Sequence, residues 1–85
     1  MIFYGYRIKW EKLPLRGQRV SPNWLLFSSF EQIVMFFINK SDSFREYWSP
    51  IKFIIENDII KNTEFLSTKE SLIFENKLKL LTLLK

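Results

Sequence analysis

Ser49-Pro50-Ile51-Lys52-Phe53-Ile54-Ile55-Glu56-Asn57-Asp58-Ile59-Ile60 is the stretch on which the fold of this 85-residue chain turns. Ser49-Pro50 has the form of an N-cap followed by proline at the first helical position, where the missing N–H is not needed. Behind it, Ile51, Ile54, Ile55 and Ile59 fall on one helical face. The spacing predicts a helix through Ile60.

Working outward, three serines stand three residues before a glutamate, the spacing of a capping box. Ser67…Glu70 opens a last helix running to about Leu84, with Ile73, Phe74, Leu78, Leu81 and Leu84 on one face. A hairpin competes there, because Lys77-Leu78-Lys79-Leu80 alternates, and the helix is preferred. Ser43…Glu46 opens a helix that Pro50 interrupts, and Ser28…Glu31 opens one to about Asn39. Towards the N-terminus, Ile2, Tyr4, Tyr6, Ile8 and Trp10 alternate with Phe3, Gly5, Arg7 and Lys9, which suits a strand or extended arm. Pro14, Gly17 and Pro22 make residues 11–23 an ordered loop. The expected fold is a small single domain, mainly α, with about three helices and an extended N-terminal arm or strand. Residues 1–23 form the arm and loop, and residues 24–85 the helical packing segment.

Composition limits the chemistry. Cysteine and histidine are absent, which excludes disulfides, thiolate metal sites, nucleophile–His catalysis and ordinary zinc sites. Asp42/Glu46 and Glu70/Glu75 carry no acid–base motif, so neither an enzyme, a cofactor nor a small-molecule substrate is expected. With 47% hydrophobic and 18% aromatic residues the chain has ample core material. A chain this short without cross-links is expected to complete its burial against a partner. Alanine is missing although it is the best helix former, which points to the coding bias of an AT-rich genome. Residues 1–7 have neither the apolar run of a secretory signal nor the pattern of a transit peptide. The longest uncharged run, Val20 to Phe30, is too short for a bilayer. A soluble or peripheral location is expected.

Charge is concentrated at one end. Residues 1–20 hold Arg7, Lys9, Lys12, Arg16 and Arg19 against Glu11, and so carry the whole net charge of +4. A basic strip hinged on glycine has the form of a nucleic-acid contact. Arg16 and Arg19 flank Gly17-Gln18. Arginine forks match phosphate oxygens in pairs, glycine lets backbone approach a phosphate, and glutamine reaches a base edge or a 2′-hydroxyl. Alone, such an arginine pair reads as solvated surface. Tyr4, Tyr6 and Trp10 offer rings for unpaired bases, although core packing of the strand is the preferred role. Trp24-Leu25-Leu26-Phe27 suits either the start of the core or a protein-docking patch.

Leu13-Pro14-Leu15-Arg16-Gly17-Gln18-Arg19, with Asn23 four residues on and Tyr4 nine before Leu13, resembles the C-terminal signature of the small-subunit ribosomal protein thirteen family. The likeness covers residues 4–23. It implies a structural component of the small ribosomal subunit that binds rRNA. Its partners would be small-subunit rRNA and neighbouring ribosomal proteins. Arg7, Lys9, Lys12, Arg16, Gly17, Gln18, Arg19 and Asn23 would form the RNA-binding set. The family's N-terminal helical domain has no counterpart before the motif, and Trp24-Leu25-Leu26-Phe27 replaces the family's basic continuation. A mitochondrial split or reduced form is therefore expected, with a separate chain supplying the N-terminal half. A location in the cytoplasm of an AT-rich bacterium or phage host is the alternative. Rival functions are a small protein-binding inhibitor of toxin-immunity or phage anti-host type, and an accessory subunit of an organellar complex.

Overall fold

The isoleucine-rich run folds as a hairpin. The computed structural model describes residues 1–10 and 16–83. In it, β2 (Trp48–Glu56) and β3 (Ile59–Phe65) run antiparallel. They are joined by Asn57 at φ 52° and Asp58 at φ 63°. Two left-handed residues in a two-residue loop make a type I′ turn, whose twist suits the flanking strands. Asn and Asp enter that region more readily than other side chains. β1 (Ile2–Ile8) pairs with the other side of β2, from Ile2 opposite Ile54 to Ile8 opposite Trp48. The sheet order is β1-β2-β3.

This overturns the expected mainly α class and the helix through Ile60, while the N-terminal arm or strand is the strand β1. The described residues are about 40% helix and 32% strand, built on a three-stranded antiparallel sheet. Ile51, Ile54, Ile55 and Ile59 do fit helical spacing, but Ile51, Phe53 and Ile55 also alternate, and all three are buried. Isoleucine is β-branched and favours a pleated surface. The proline in a central strand has a local reason. Met1 and Ile55 exchange both backbone hydrogen bonds, at 3.0 and 2.9 Å. By antiparallel alternation the Tyr6–Pro50 pair is non-hydrogen-bonded, so Pro50 lacks an N–H only on its β3 side. There β3 has already ended, at Phe65 opposite Ile51.

Among the described residues three helices accompany the sheet: α1 (Phe30–Ile38), α2 (Asp42–Tyr47) and α3 (Thr68–Leu83). Ser29, not Ser28, caps α1 by accepting the Gln32 N–H, while the Gln32 side chain accepts the Ser28 N–H at 2.9 Å. Ser41, not Ser43, caps α2 by accepting the Phe44 N–H at 3.2 Å. At α3 the box is as the sequence has it: Ser67 Oγ accepts the Glu70 N–H at 3.2 Å and Glu70 Oε1 accepts the Ser67 N–H at 3.0 Å.

Strand parity divides the core in two. On one face, Tyr4, Tyr6 and Trp48 meet a core of Ile33, Val34, Phe37 and Ile38 from α1 and Phe74 and Leu78 from α3. Tyr6 stacks on Phe36 at 5.0 Å and meets Trp48 edge-on at 5.2 Å. On the other face, Ile51, Phe53, Ile55 and Ile60 pack with Phe3, Val20, Trp24 and Leu26.

An ion pair between Lys52 and Glu70 ties α3 to the sheet. Lys52 Nζ lies 2.8 Å from Glu70 Oε1, the oxygen that also caps α3, and 4.0 Å from Glu64 Oε2. The Lys52 hydrogen bond, helped by the Ser67 N–H, holds the Glu70 carboxyl below its ordinary 4.5. The bond to Glu70 outweighs desolvation and raises Lys52 above 10.5. The stabilisation from Glu70 is therefore present above pH 4.5 and lost as pH falls through its depressed native value. That from Lys52 is present below pH 10.5 and lost as pH rises through its raised native value. Glu70→Gln should destabilise the domain by about 1 kcal/mol at neutral pH. It should also flatten the acid side of the pH–stability profile. An acid limb of undiminished depth in urea titrations would show that the pair contributes nothing.

Candidate nucleic-acid interface

Residues 16–27 form a strap across the second face of the sheet. At its start Gly17 donates to Ile60 O at 2.7 Å, Ile60 donates to Gln18 O at 2.8 Å, and Val20 donates to Asp58 O at 2.9 Å. Arg19 thereby pairs with Ile59 on the free side of β3. Gly17 has φ +91°, a backbone that side chains rarely adopt, with open space where a Cβ would stand. The strap turns at Ser21-Pro22-Asn23-Trp24, where the Trp24 N–H donates to Ser21 O at 3.1 Å and the Asn23 N–H to Ser21 Oγ at 3.2 Å. Proline fits the second position of such a turn. Beyond it Trp24 and Leu26 face the sheet, Trp24 lying 5.7 Å from the Phe53 ring, while Leu25 faces outward. The strap ends on the far edge, where Phe27 and Tyr4 exchange backbone hydrogen bonds at 2.7 and 2.8 Å.

This geometry places the sequence-predicted residues in separate groups. Arg16, Gly17, Gln18 and Arg19 are contiguous and exposed on the β3 edge. Among the described residues, no carboxylate lies within ion-pair range of Arg16 or Arg19. Arg7 and Asn23 come together instead as walls of a cavity of about 260 Å³ between β1 and the strap, with Gly5, Trp24 and Phe53. Lys9 stands at the other end of the sheet, its N–H bonded to Tyr47 O at 2.9 Å. Trp48 to Ile55, the stretch of β2 between the two ends, covers about 23 Å at ~3.3 Å per residue. Lys12 and Leu13-Pro14-Leu15 of the signature lie outside the described residues.

The rings divide as well. Tyr4 meets Phe30 at 5.8 Å and Tyr6 sits in the aromatic core, so neither is offered to a base. Trp10 is 69% exposed and packs edge-on against Tyr47, 49% exposed, at 5.6 Å. This pair, beside Lys9, offers an aromatic surface to a stacking partner, and Phe65 at the end of β3 is exposed as well. Sequence reasoning passed over Tyr47 because residues 43–47 read as the body of a helix, whereas α2 ends there and turns into β2. Lys61, exposed on β3, also went unremarked. Among the described residues no acidic cluster is placed to hold a metal ion, and no helix is long and apolar enough to cross a membrane.

Comparison of the chain with protein-family models, curated proteins and solved structures finds no match.

Proposed function

We propose that this protein is a structural, RNA-binding component of the small ribosomal subunit, holding rRNA phosphates with Arg16 and Arg19. The observation that carries the reading is the exposed pair of guanidinium groups astride a glycine at φ +91°, on a backbone fixed to β3. Arginines on a pinned edge lose less freedom on binding than arginines on a loose loop. Gln18 supplies the polar contact between them, and the Lys9, Trp10 and Tyr47 surface gives a second, separate place for an unpaired base. The resemblance of residues 4–23 to the ribosomal family narrows the RNA class. The remaining surface would pack on neighbouring ribosomal proteins.

The test is binding of the purified chain to small-subunit rRNA across a salt series. Arg16→Ala with Arg19→Ala should weaken binding about tenfold or more and reduce the slope of log K against log salt by about two. The circular dichroism should not change, because both side chains are exposed. A slope equal to that of the parent chain would remove the edge from the RNA interface.

A second reading, a small protein-binding inhibitor, is favoured by a groove of about 860 Å³ between β2 and α3, floored by Phe37, Trp48, Phe74 and Leu78. It predicts a one-to-one complex with a folded protein that tolerates both salt and the arginine substitutions.

A further inference from the structure

We propose that α3 carries a self-complementary surface through which two copies of this chain associate, antiparallel about a two-fold axis at Asn76. The inference goes beyond the RNA reading and does not rest on it. It starts from a helix that is apolar on two opposite sides. Phe74, Leu78 and Leu81 face the core. Across the helix Leu72, Leu80 and Leu83 are 61%, 64% and 82% exposed, and Ile73 on the flank is 39% exposed. Leu72 and Ile73 on one side of Asn76, and Leu80 and Leu83 on the other, expose apolar surface of the kind that marks an interface.

The spacing identifies the occupant. Lys69, Leu72, Asn76, Leu80 and Leu83 line the outer stripe in steps of three, four, four and three residues, which read the same in both directions. Turning a second copy by half a revolution about Asn76 lays the stripe on itself. Leu72 then meets Leu80 of the second copy, Ile73 packs beside that same leucine, and the Lys69 stem covers the second copy's Leu83. The Asn76 amide, at once donor and acceptor, meets its own copy on the axis.

Charge agrees with the two-fold. Glu75 and Lys79 lie four residues apart along one flank of the stripe. In an antiparallel pair that flank meets its own copy. Glu75 therefore faces Lys79 of the second copy, and Lys79 faces the second copy's Glu75. Both are exposed, and among the described residues neither is engaged in an ion pair. Lys77, on the opposite flank, is paired with Glu31 of α1. The stripe from Lys69 to Leu83 is about 21 Å long at ~1.5 Å per residue. A contact of that length is at the small end of specific interfaces, so micromolar association is expected.

The experiment is sedimentation equilibrium of the full, RNA-free chain from low micromolar to near-millimolar concentration. The expected result is a reversible monomer–dimer equilibrium. Leu80→Glu should abolish it with an unchanged far-ultraviolet circular dichroism spectrum. Glu75→Lys should weaken dimerisation about tenfold, because it sets two like-charged pairs against each other. Adding Lys79→Glu to that variant should restore it. A chain that stays monomeric throughout overturns the proposal and leaves the stripe to a partner of different sequence. A dimer insensitive to Leu80→Glu, or a charge swap that fails to restore association, also overturns it.

Discussion

Phe37→Ala is expected to remove about 3–5 kcal/mol of stability, enough to leave a domain of this size largely unfolded at 37 °C. Phe37 is 1% exposed and sits where α1, α2, α3 and β1 converge. Its ring meets Phe74 at 5.3 Å, Phe44 at 5.5 Å, Phe36 at 5.8 Å and Tyr6 at 6.4 Å, all near edge-on. Rings cannot flow into the space a lost ring leaves, so the cavity stays open and its lining loses dispersion contacts on every side. Urea denaturation followed by far-ultraviolet circular dichroism would measure the loss. Phe37→Leu should cost about half as much, since it keeps part of the volume. A loss below about 1 kcal/mol for the alanine variant would mean that the helices are not held by this cluster.

The second large effect is expected where a side chain is missing. A Cβ at Gly5 would lie 2.7 Å from Phe53 Cε2 and 3.4 Å from Leu26 Cδ2. Phe53 is 3% exposed, with Gly5 on one side and the Trp24 ring 5.7 Å away on another, so it has little room to yield. Gly5→Ala should cost about 1–3 kcal/mol by overpacking, and Gly5→Val more. The strap should respond before the helices do. Amide exchange at Phe27 and Val20, whose hydrogen bonds tie the strap to the two sheet edges, should accelerate while the amides of α1 remain protected. Phe53→Leu should recover part of the loss in the Gly5→Ala background, as coupled neighbours do. Equal exchange in parent and variant at those two amides would show that Gly5 is not what lets the strap lie down.

How much of this could be read beforehand depends on the range of the contacts involved. Local signals served well. The alternation of Ile2 to Trp10 marks the strand and assigns Tyr4 and Tyr6 to one face correctly. Ser67…Glu70 marks the start of α3 to the residue. Ser28…Glu31 was one residue off because Ser29 with Gln32 offers the same chemistry. The hairpin was missed because its partner strand lies at the other end of the chain. With β1 out of view, Ser49-Pro50 and four isoleucines at helical spacing outweighed Phe53, the alternate phase and the Asn57-Asp58 turn. Two β-branched runs separated by Asn-Asp were the available signal. The candidate interface was legible only as a list. That Arg16 and Arg19 share an edge, that Arg7 turns with Asn23 into a cavity, and that Lys9 is a strand's length away all follow from strand pairing.

The strap also bears on what happens when this protein fails. A sheet with open sides invites neighbouring molecules to add strands and grow into aggregates. Here a single segment occupies both sides at once, closing β3 at Arg19 and β1 at Phe27. The rest of the β3 side carries Lys61 and Glu64, charges that discourage stacking. Detaching the strap would uncover both borders together with the apolar surface of Phe3, Ile51, Phe53, Ile55 and Ile60. Such an opened form would offer the uncovered sides of β1 and β3 as templates for strand addition, the first step towards cross-β assembly.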